Sequence, residues 1–168
     1  SFGSSGLVDA ISTINFTSDT DTLFTFTCDY GSVEHIALQN TFAGTPSAGA
    51  GIVTSGSFIA QKINIFDAQV IGFYINVDVQ VGASWTFDGF DSIGCVLYGV
   101  KIRNTVNPDA GDWSINNSTI ITYLNNATAG IRLESSGGGK ISNTKINANP
   151  AGTAGGIKRF TYGIDISG

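Results

Sequence analysis

A two-residue phrase, Gly followed by an apolar residue, recurs along the 168 residues and restricts what the chain can fold into. It stands at Gly51-Ile52, Gly72-Phe73, Gly94-Cys95, Gly130-Ile131, Gly156-Ile157 and Gly163-Ile164, with first steps of 21, 22, 36 and 26 residues. Self-similarity at such periods marks folds that stack one unit on the next. Between the marks, apolar residues alternate (Ile36/Leu38, Ile63/Ile65, Trp85/Phe87, Val100/Ile102), the two-residue period of a strand. A third signature is the pair Ile115-Asn-Asn-Ser-Thr-Ile120 and Ile141-Ser-Asn-Thr-Lys-Ile146, 26 residues apart. The longest internal match sets residues 50–64 against 129–147. Ala-Gly-Ile opens both, Lys-Ile-Asn closes both, and the offset drifts from 79 to 83, roughly three periods.

The residue types agree with strands. Ile and Val number 30 against 6 Leu and 2 Glu, and β-branched side chains suit a pleated, half-buried surface. Gly, Ser, Thr and Asn number 69, yet the chain is 42% hydrophobic, too apolar for disorder, so the small polar residues belong in turns or stacked rows. The expectation is an all-β parallel β-solenoid of about five to seven coils, with residues 1–19 as an N-terminal lead-in or cap and 20–168 as the solenoid. The segment 104–112, with Pro108 and Gly111, reads as one longer corner insertion and explains the 36-residue step. Turn asparagines (Asn40, Asn104, Asn117, Asn126, Asn143) are expected to stack rung upon rung, and the repeating glycines to supply left-handed corners. An antiparallel sandwich is the competing fold, but Asp88-Gly89 is the one hairpin-type dipeptide.

Net charge is −5, split between nine carboxylates and one cation in residues 1–100 and seven cations and four carboxylates in 101–168. Cations scattered along strands (Lys101, Arg103, Arg132, Lys158) form no coherent basic face, which argues against nucleic acid. No apolar run approaches the roughly 20 residues of a membrane helix. With 12% charged residues, the surface must be amide and hydroxyl, suited to partners that hydrogen-bond, such as sugars. Cys28 and Cys95 fit no metal spacing and read as two small buried hydrophobes; no cofactor is implied. The missing initiator Met and a C-terminus directly after a strand suggest a piece of a longer chain.

The phrase Ala-Gly-Ile-Arg-Leu-Glu-Ser-Ser-Gly-Gly-Gly-Lys-Ile-Ser-Asn-Thr-Lys-Ile-Asn (129–147), with Gly163-Ile164-Asp165-Ile166, resembles right-handed parallel β-helices of the pectin-lyase-like class. In particular it resembles the shaft of bacteriophage tailspike and tail-fibre proteins. The resemblance implies a homotrimeric virion appendage, made in the host cytoplasm and carried outside the cell on the phage tail. Such an appendage attaches to other tail components and recognises, and often cleaves, a bacterial surface polysaccharide such as capsule or O-antigen.

Glycan cleavage by acid–base chemistry needs two carboxyls about 5–5.5 Å or 6.5–9.5 Å apart. Neighbouring coils offer about 4.8 Å, and i, i+2 positions about 6.6 Å. Two stretches hold paired aspartates beside a tryptophan. In Trp85-Thr-Phe-Asp88-Gly-Phe-Asp91, Asp88 and Asp91 are candidate catalytic groups if Gly89 bulges the strand to converge them; otherwise Trp85 and Phe87 are core and the aspartates turn residues. In Asp109-Ala-Gly-Asp112-Trp113, Asp109 and Asp112 are the second pair, with Trp113 a sugar platform or a cover on the coil edge. Arg132 and Glu134 share one strand face, as binding residues or an ion pair. Asp67 and Asp78 are placed to meet Asp88 or Asp91 across rungs, and His35 reads as a solvated strand residue. Two other functions compete with the tailspike reading: a stand-alone pectin-lyase-like polysaccharide-degrading enzyme, and a non-catalytic structural shaft or adhesin.

Overall fold

The structure, a computed structural model, describes residues 12–27, 30–54, 62–80, 84–103, 112–122, 127–134, 137–148 and 160–167. The chain winds in circuits of three short strands. The first is β1 (Ser12–Phe16), β2 (Phe24–Phe26) and β3 (Tyr30–Glu34); the second is β4 (Ile36–Asn40), β5 (Ala50–Thr54) and β6 (Lys62–Phe66). There follow β7 (Gln69–Ile71), β8 (Ile75–Val79) and β9 (Ser84–Asp88), then β10 (Asp91–Ile93), β11 (Tyr98–Arg103) and β12 (Asp112–Asn116). Next come β13 (Thr119–Thr122), β14 (Ala127–Glu134) and β15 (Gly139–Ser142), and finally β16 (Lys145–Ala148) and β17 (Phe160–Ser167). Successive circuits pair side by side into sheet A (β1-β4-β7-β10-β13-β16), sheet B (β2-β5-β8-β11-β14-β17) and sheet C (β3-β6-β9-β12-β15). Every pairing is parallel. The chain is therefore an all-β parallel solenoid, and among the described residues no helix occurs.

Alternation turns one set of side chains inward on each sheet, and parallel register piles them into columns. On sheet B the inner columns are Phe24–Ile52–Val77–Val100–Ile131–Ile164 and Phe26–Thr54–Val79–Ile102–Leu133–Ile166. Sheet A supplies Leu38–Val70–Ser92–Ile120–Ile146, and sheet C Val33–Ile65–Phe87–Ile115–Ile141. Leu38, Val70, Phe87, Ile115, Ile120 and Ile131 are fully buried. Each such side chain contributes about 1.5–3 kcal/mol relative to exposure. A polar island interrupts the core at Asn76. Asn76 donates through Nδ2 to the Val70 carbonyl at 2.9 Å, Ser92 Oγ at 2.8 Å and the Ile93 carbonyl at 3.1 Å, and accepts from the Phe73 amide at 3.1 Å. Those bonds tie the corner between sheets A and B to the rung above it.

The glycine repeat resolves into two separate columns, which corrects the expectation that all of these glycines form corners. Gly72 (φ 79°) and Gly94 (φ 67°) do turn the chain from sheet A to sheet B. Gly51, Gly130 and Gly163 lie inside the strands of sheet B, where the column also holds Asn76 and Gly99. At Gly99 and Gly130 glycine is needed for space, since a Cβ would come within 2.5 Å of Ile120 Cγ2 or Ile146 Cγ2, whereas one on Gly163 would meet nothing within 4 Å. Gly156 lies outside the described residues. The internal match divides in the same way. Ala50-Gly51-Ile52 and Ala129-Gly130-Ile131 occupy one column of sheet B three rungs apart, but Lys62-Ile63-Asn64 is in sheet C and Lys145-Ile146-Asn147 in sheet A.

Of the lead-in 1–19, β1 already pairs with β4 in sheet A (Ser12↔Ile36 to Phe16↔Asn40), and residues 1–11 lie outside the described residues. So do Cys28 and 104–111, the body of the insertion, which falls between β11 and β12. Cys95 is a free thiol in the core, fully buried, and burial pushes it up to about 12.

Candidate functional site

The turn from sheet C to sheet A is built alike in every circuit. One left-handed residue follows the sheet C strand: His35 (φ 51°), Asp67 (46°), Gly89 (63°), Asn117 (48°) and Asn143 (45°). Asp, Asn and Gly tolerate this conformation best. The amides of the first four donate to the carbonyl before the corner in the next rung: His35 to Phe66, Asp67 to Asp88, Gly89 to Asn116, Asn117 to Ser142. Side chains extend the ladder. Asn143 Nδ2 donates to Asn117 Oδ1 at 2.7 Å, Asn117 Nδ2 to Asp88 Oδ1 at 2.8 Å, and His35 Nδ1 lies 3.0 Å from Asp67 Oδ2. The expected asparagine stack thus holds for Asn117 and Asn143. Asn40 is elsewhere, bridging Ser18 and Phe42, and Asn104 and Asn126 lie outside the described residues. His35 is a corner residue rather than a strand residue.

Asp88 ends β9 and Asp91 begins β10, so Gly89 makes a corner between two sheets rather than a bulge within one strand. Both aspartates point outward and are half-buried on either side of it. Burial raises the Asp91 carboxyl above its ordinary range. The Thr119 hydroxyl and Gln69 amide (3.3 Å) oppose that rise, and the Asp67 charge adds to it. Asp78 does not join them; it sits on sheet B, bonded to Arg103 Nη2 at 3.1 Å.

Of the second constellation, Asp112 and Trp113 lie among the described residues. Trp113 faces the core at 9% exposure, its indole N–H donating to the Gly137 carbonyl at 3.3 Å. Trp85, its register partner, is 2% exposed. Neither ring is available to a sugar, because alternation puts both on the inner face of sheet C. Asp112 is exposed at the start of β12, opposite Ser84 and four residues from the Asp88 position, about 13 Å at roughly 3.3 Å per residue. Asp88 and Asp112 therefore belong to opposite margins of sheet C, too far apart for one acid–base pair. Asp109 lies outside the described residues.

Arg132 and Glu134 do share the outer face of sheet B, in an ion-pair row. Glu134 accepts from Arg132 Nε at 3.0 Å and from Lys101 Nζ at 3.0 Å, and Arg132 also pairs with Asp165. Burial alone would raise the Glu134 carboxyl, but the bonds from Lys101 and Arg132 outweigh it and hold it below the usual range. Lys101 also lies over the Tyr98 ring, 5.4 Å from its centre. These charges are committed to one another.

A groove not anticipated from the sequence runs over the outer face of sheet C. It is an open depression of about 460 Å³ between β3 and β6, lined by Tyr30, Ser32, Glu34, Lys62 and Asn64. Tyr30 is 75% exposed. Register continues the same face through Thr86 and Ser114 in one row, and through Phe66, Asp88, Asn116 and Ser142 in another. Within it Ser142 Oγ bonds Asn116 Oδ1 at 2.6 Å. The signal was present as the polar half of the alternation Tyr30-Gly-Ser32-Val-Glu34, but the 32-residue offset to Lys62 is invisible without the register. Among the described residues, no group of three or more His, Cys, Asp and Glu is placed to hold a metal ion. No family model matches the chain, and no curated protein or solved structure is significantly similar to it.

Proposed function

We propose that this chain is a glycan-binding segment of a solenoid shaft of the phage tailspike kind, and that the outer face of sheet C meets the bacterial polysaccharide. The observation that carries this reading is the groove at Tyr30, Ser32, Glu34, Lys62 and Asn64, which opens onto rows of hydroxyls and amides. An exposed aromatic ring beside fixed hydrogen-bonding groups suits a sugar, with the C–H face on the ring and hydroxyls on the amides. Asp88, at the end of that face, and Asp91, just beyond the Gly89 corner on sheet A, are the carboxyls we assign to any cleavage, burial raising that of Asp91. Homotrimeric assembly draws support from sheet A, whose outer face carries the half-buried row Ile71–Ile93–Ile121 between polar ends Gln39 and Asn147.

The test is retention of the chain on a panel of capsular and O-antigen polysaccharides in affinity electrophoresis. At least one polysaccharide is expected to retard it, and Tyr30→Ala to weaken that binding about tenfold, some 1.4 kcal/mol, without altering the melt. No retardation by any member, or a Tyr30→Ala chain that binds as well, would overturn the reading. A second reading, a non-catalytic shaft, is favoured by the burial of both tryptophans. It prevails if Asp88→Asn with Asp91→Asn leaves glycan chain length unchanged relative to the unsubstituted protein.

A further inference from the structure

Charge is distributed unevenly over the groove on sheet C. Lys62 is the cation in its lining, and the one Lys or Arg in residues 1–100, a stretch with nine carboxylates. It stands exposed on β6 beside its register partner Tyr30, about 4.8 Å away on the neighbouring strand. Its ammonium has no ion pair or hydrogen bond among the described residues, whereas Lys101, Arg103 and Arg132 are all committed. The carboxylates of the same face stand off from it. Glu34 lies four residues along β3 from Tyr30, about 13 Å at roughly 3.3 Å per residue, and Asp88 continues the row of Glu34. Asp112 shares the row of Lys62 but two rungs on, about 10 Å away. Both separations exceed the Debye length of about 8 Å at physiological salt, so these carboxylates do not neutralise the ammonium.

We infer that the groove selects a glycan whose repeat carries a carboxylate on one sugar and none on its neighbours, with Lys62 Nζ donating to that carboxylate. The inference rests on the groove being the glycan site and names the class of glycan it takes. A pyranose lying on the Tyr30 ring holds its exocyclic carboxylate within reach of a side chain one strand away, and the long Lys62 stem spans the interval. A bond between ammonium and carboxylate is roughly twice as strong as one between neutral groups, so the acidic sugar gains affinity that a neutral one lacks. The same layout limits how many charges the ligand bears. A second carboxylate on an adjoining sugar would approach Glu34, Asp88 or Asp112 and be repelled. The middle row of the face, Ser32–Asn64–Thr86–Ser114, is uncharged and suits hydroxyl and N-acetyl groups.

The experiment measures binding of the chain to the capsular and O-antigen panel, immobilised on a biosensor and sorted by charge, with dextran as the neutral probe and polygalacturonate as the fully charged one. The polysaccharides that bind are expected to carry a carboxylate on some of their sugars and not on all, and neither probe to bind. Reducing that carboxylate to an alcohol, which leaves every linkage in place, should weaken binding about tenfold. Lys62→Gln should weaken binding of the acidic form by the same factor and make the acidic and reduced forms bind alike. Lys140→Gln removes an exposed lysine of the same face, three rungs and about 14 Å beyond Asn64, and should change nothing. Tyr30→Ala should weaken both forms. The inference is overturned if the reduced polysaccharide binds as tightly as the acidic one, if Lys62→Gln binds like the parent, or if every binder is neutral or fully charged. In each of those cases a Tyr30→Ala loss leaves the glycan-site reading standing. Absence of binding to the whole panel removes that reading and the inference together.

Discussion

Asn117 carries two separate burdens, a left-handed backbone and a place in a side-chain ladder, and substitution can separate them. Its φ of 48° suits Asn or Gly, and its amide links Asp88 below to Asn143 above. Asn117→Gly keeps the backbone and loses the two bonds, for an expected cost of about 1 kcal/mol. Asn117→Ala loses the same bonds and adds left-handed strain, about 1–2 kcal/mol more. Urea midpoints should therefore fall in the order parent, Gly, Ala; an alanine variant as stable as the glycine one would mean that the corner is not held left-handed. Part of this was legible. The five-residue spacing Ile115–Ile120 and Ile141–Ile146 marks the corner, and the same spacing joins Val33 to Leu38, Ile65 to Val70 and Phe87 to Ser92. It escapes a search for repeated letters because the corner residue changes from His to Asp, Gly and Asn, which share a tolerance of the left-handed backbone.

Sheet C shows how an element accommodates residues of unequal size. Its inner column reads Gly31–Ile63–Trp85–Trp113–Gly139, so glycines bracket the two indoles. A Cβ on Gly139 would overlap the Trp113 ring itself. Gly139→Ala is expected to destabilise the chain by about 1–3 kcal/mol as the ring is displaced. Denaturant titration with a red shift in tryptophan emission reads both consequences; an unchanged midpoint would place the indole elsewhere. Strand alternation predicts that Trp85 and Phe87 share a face, and both prove to be core. It cannot say that Trp113 stacks on that same face, since the insertion between β11 and β12 sets the register independently of local pattern.

At the level of the whole molecule, each circuit touches only its neighbours, and the core is a continuous pile enclosed by three sheets. Cys95 lies inside this pile, at the corner between β10 and β11, fully buried with a thiol pushed up to about 12. At pH 8 the folded thiol is about a thousandfold less ionised than an unfolded one, so alkylation of the Cys95 peptide should be slower by at least that factor until urea opens the stack. Mass spectrometry of that peptide distinguishes it from Cys28, and rapid labelling of the native chain would show that the solenoid opens locally at this rung.

The sequence by itself determined the architecture: strand after strand with one apolar face, β-branched and repeated at a steady period, because alternation and side-chain shape act between near neighbours. Tertiary structure decided which glycines turn and which make room, which aromatic rings enter the core and which carboxylates meet. Those outcomes depend on the register between circuits. The left-handed corner residues that set it lie 22 to 32 residues apart along the chain, across corners of unequal length that no local pattern measures.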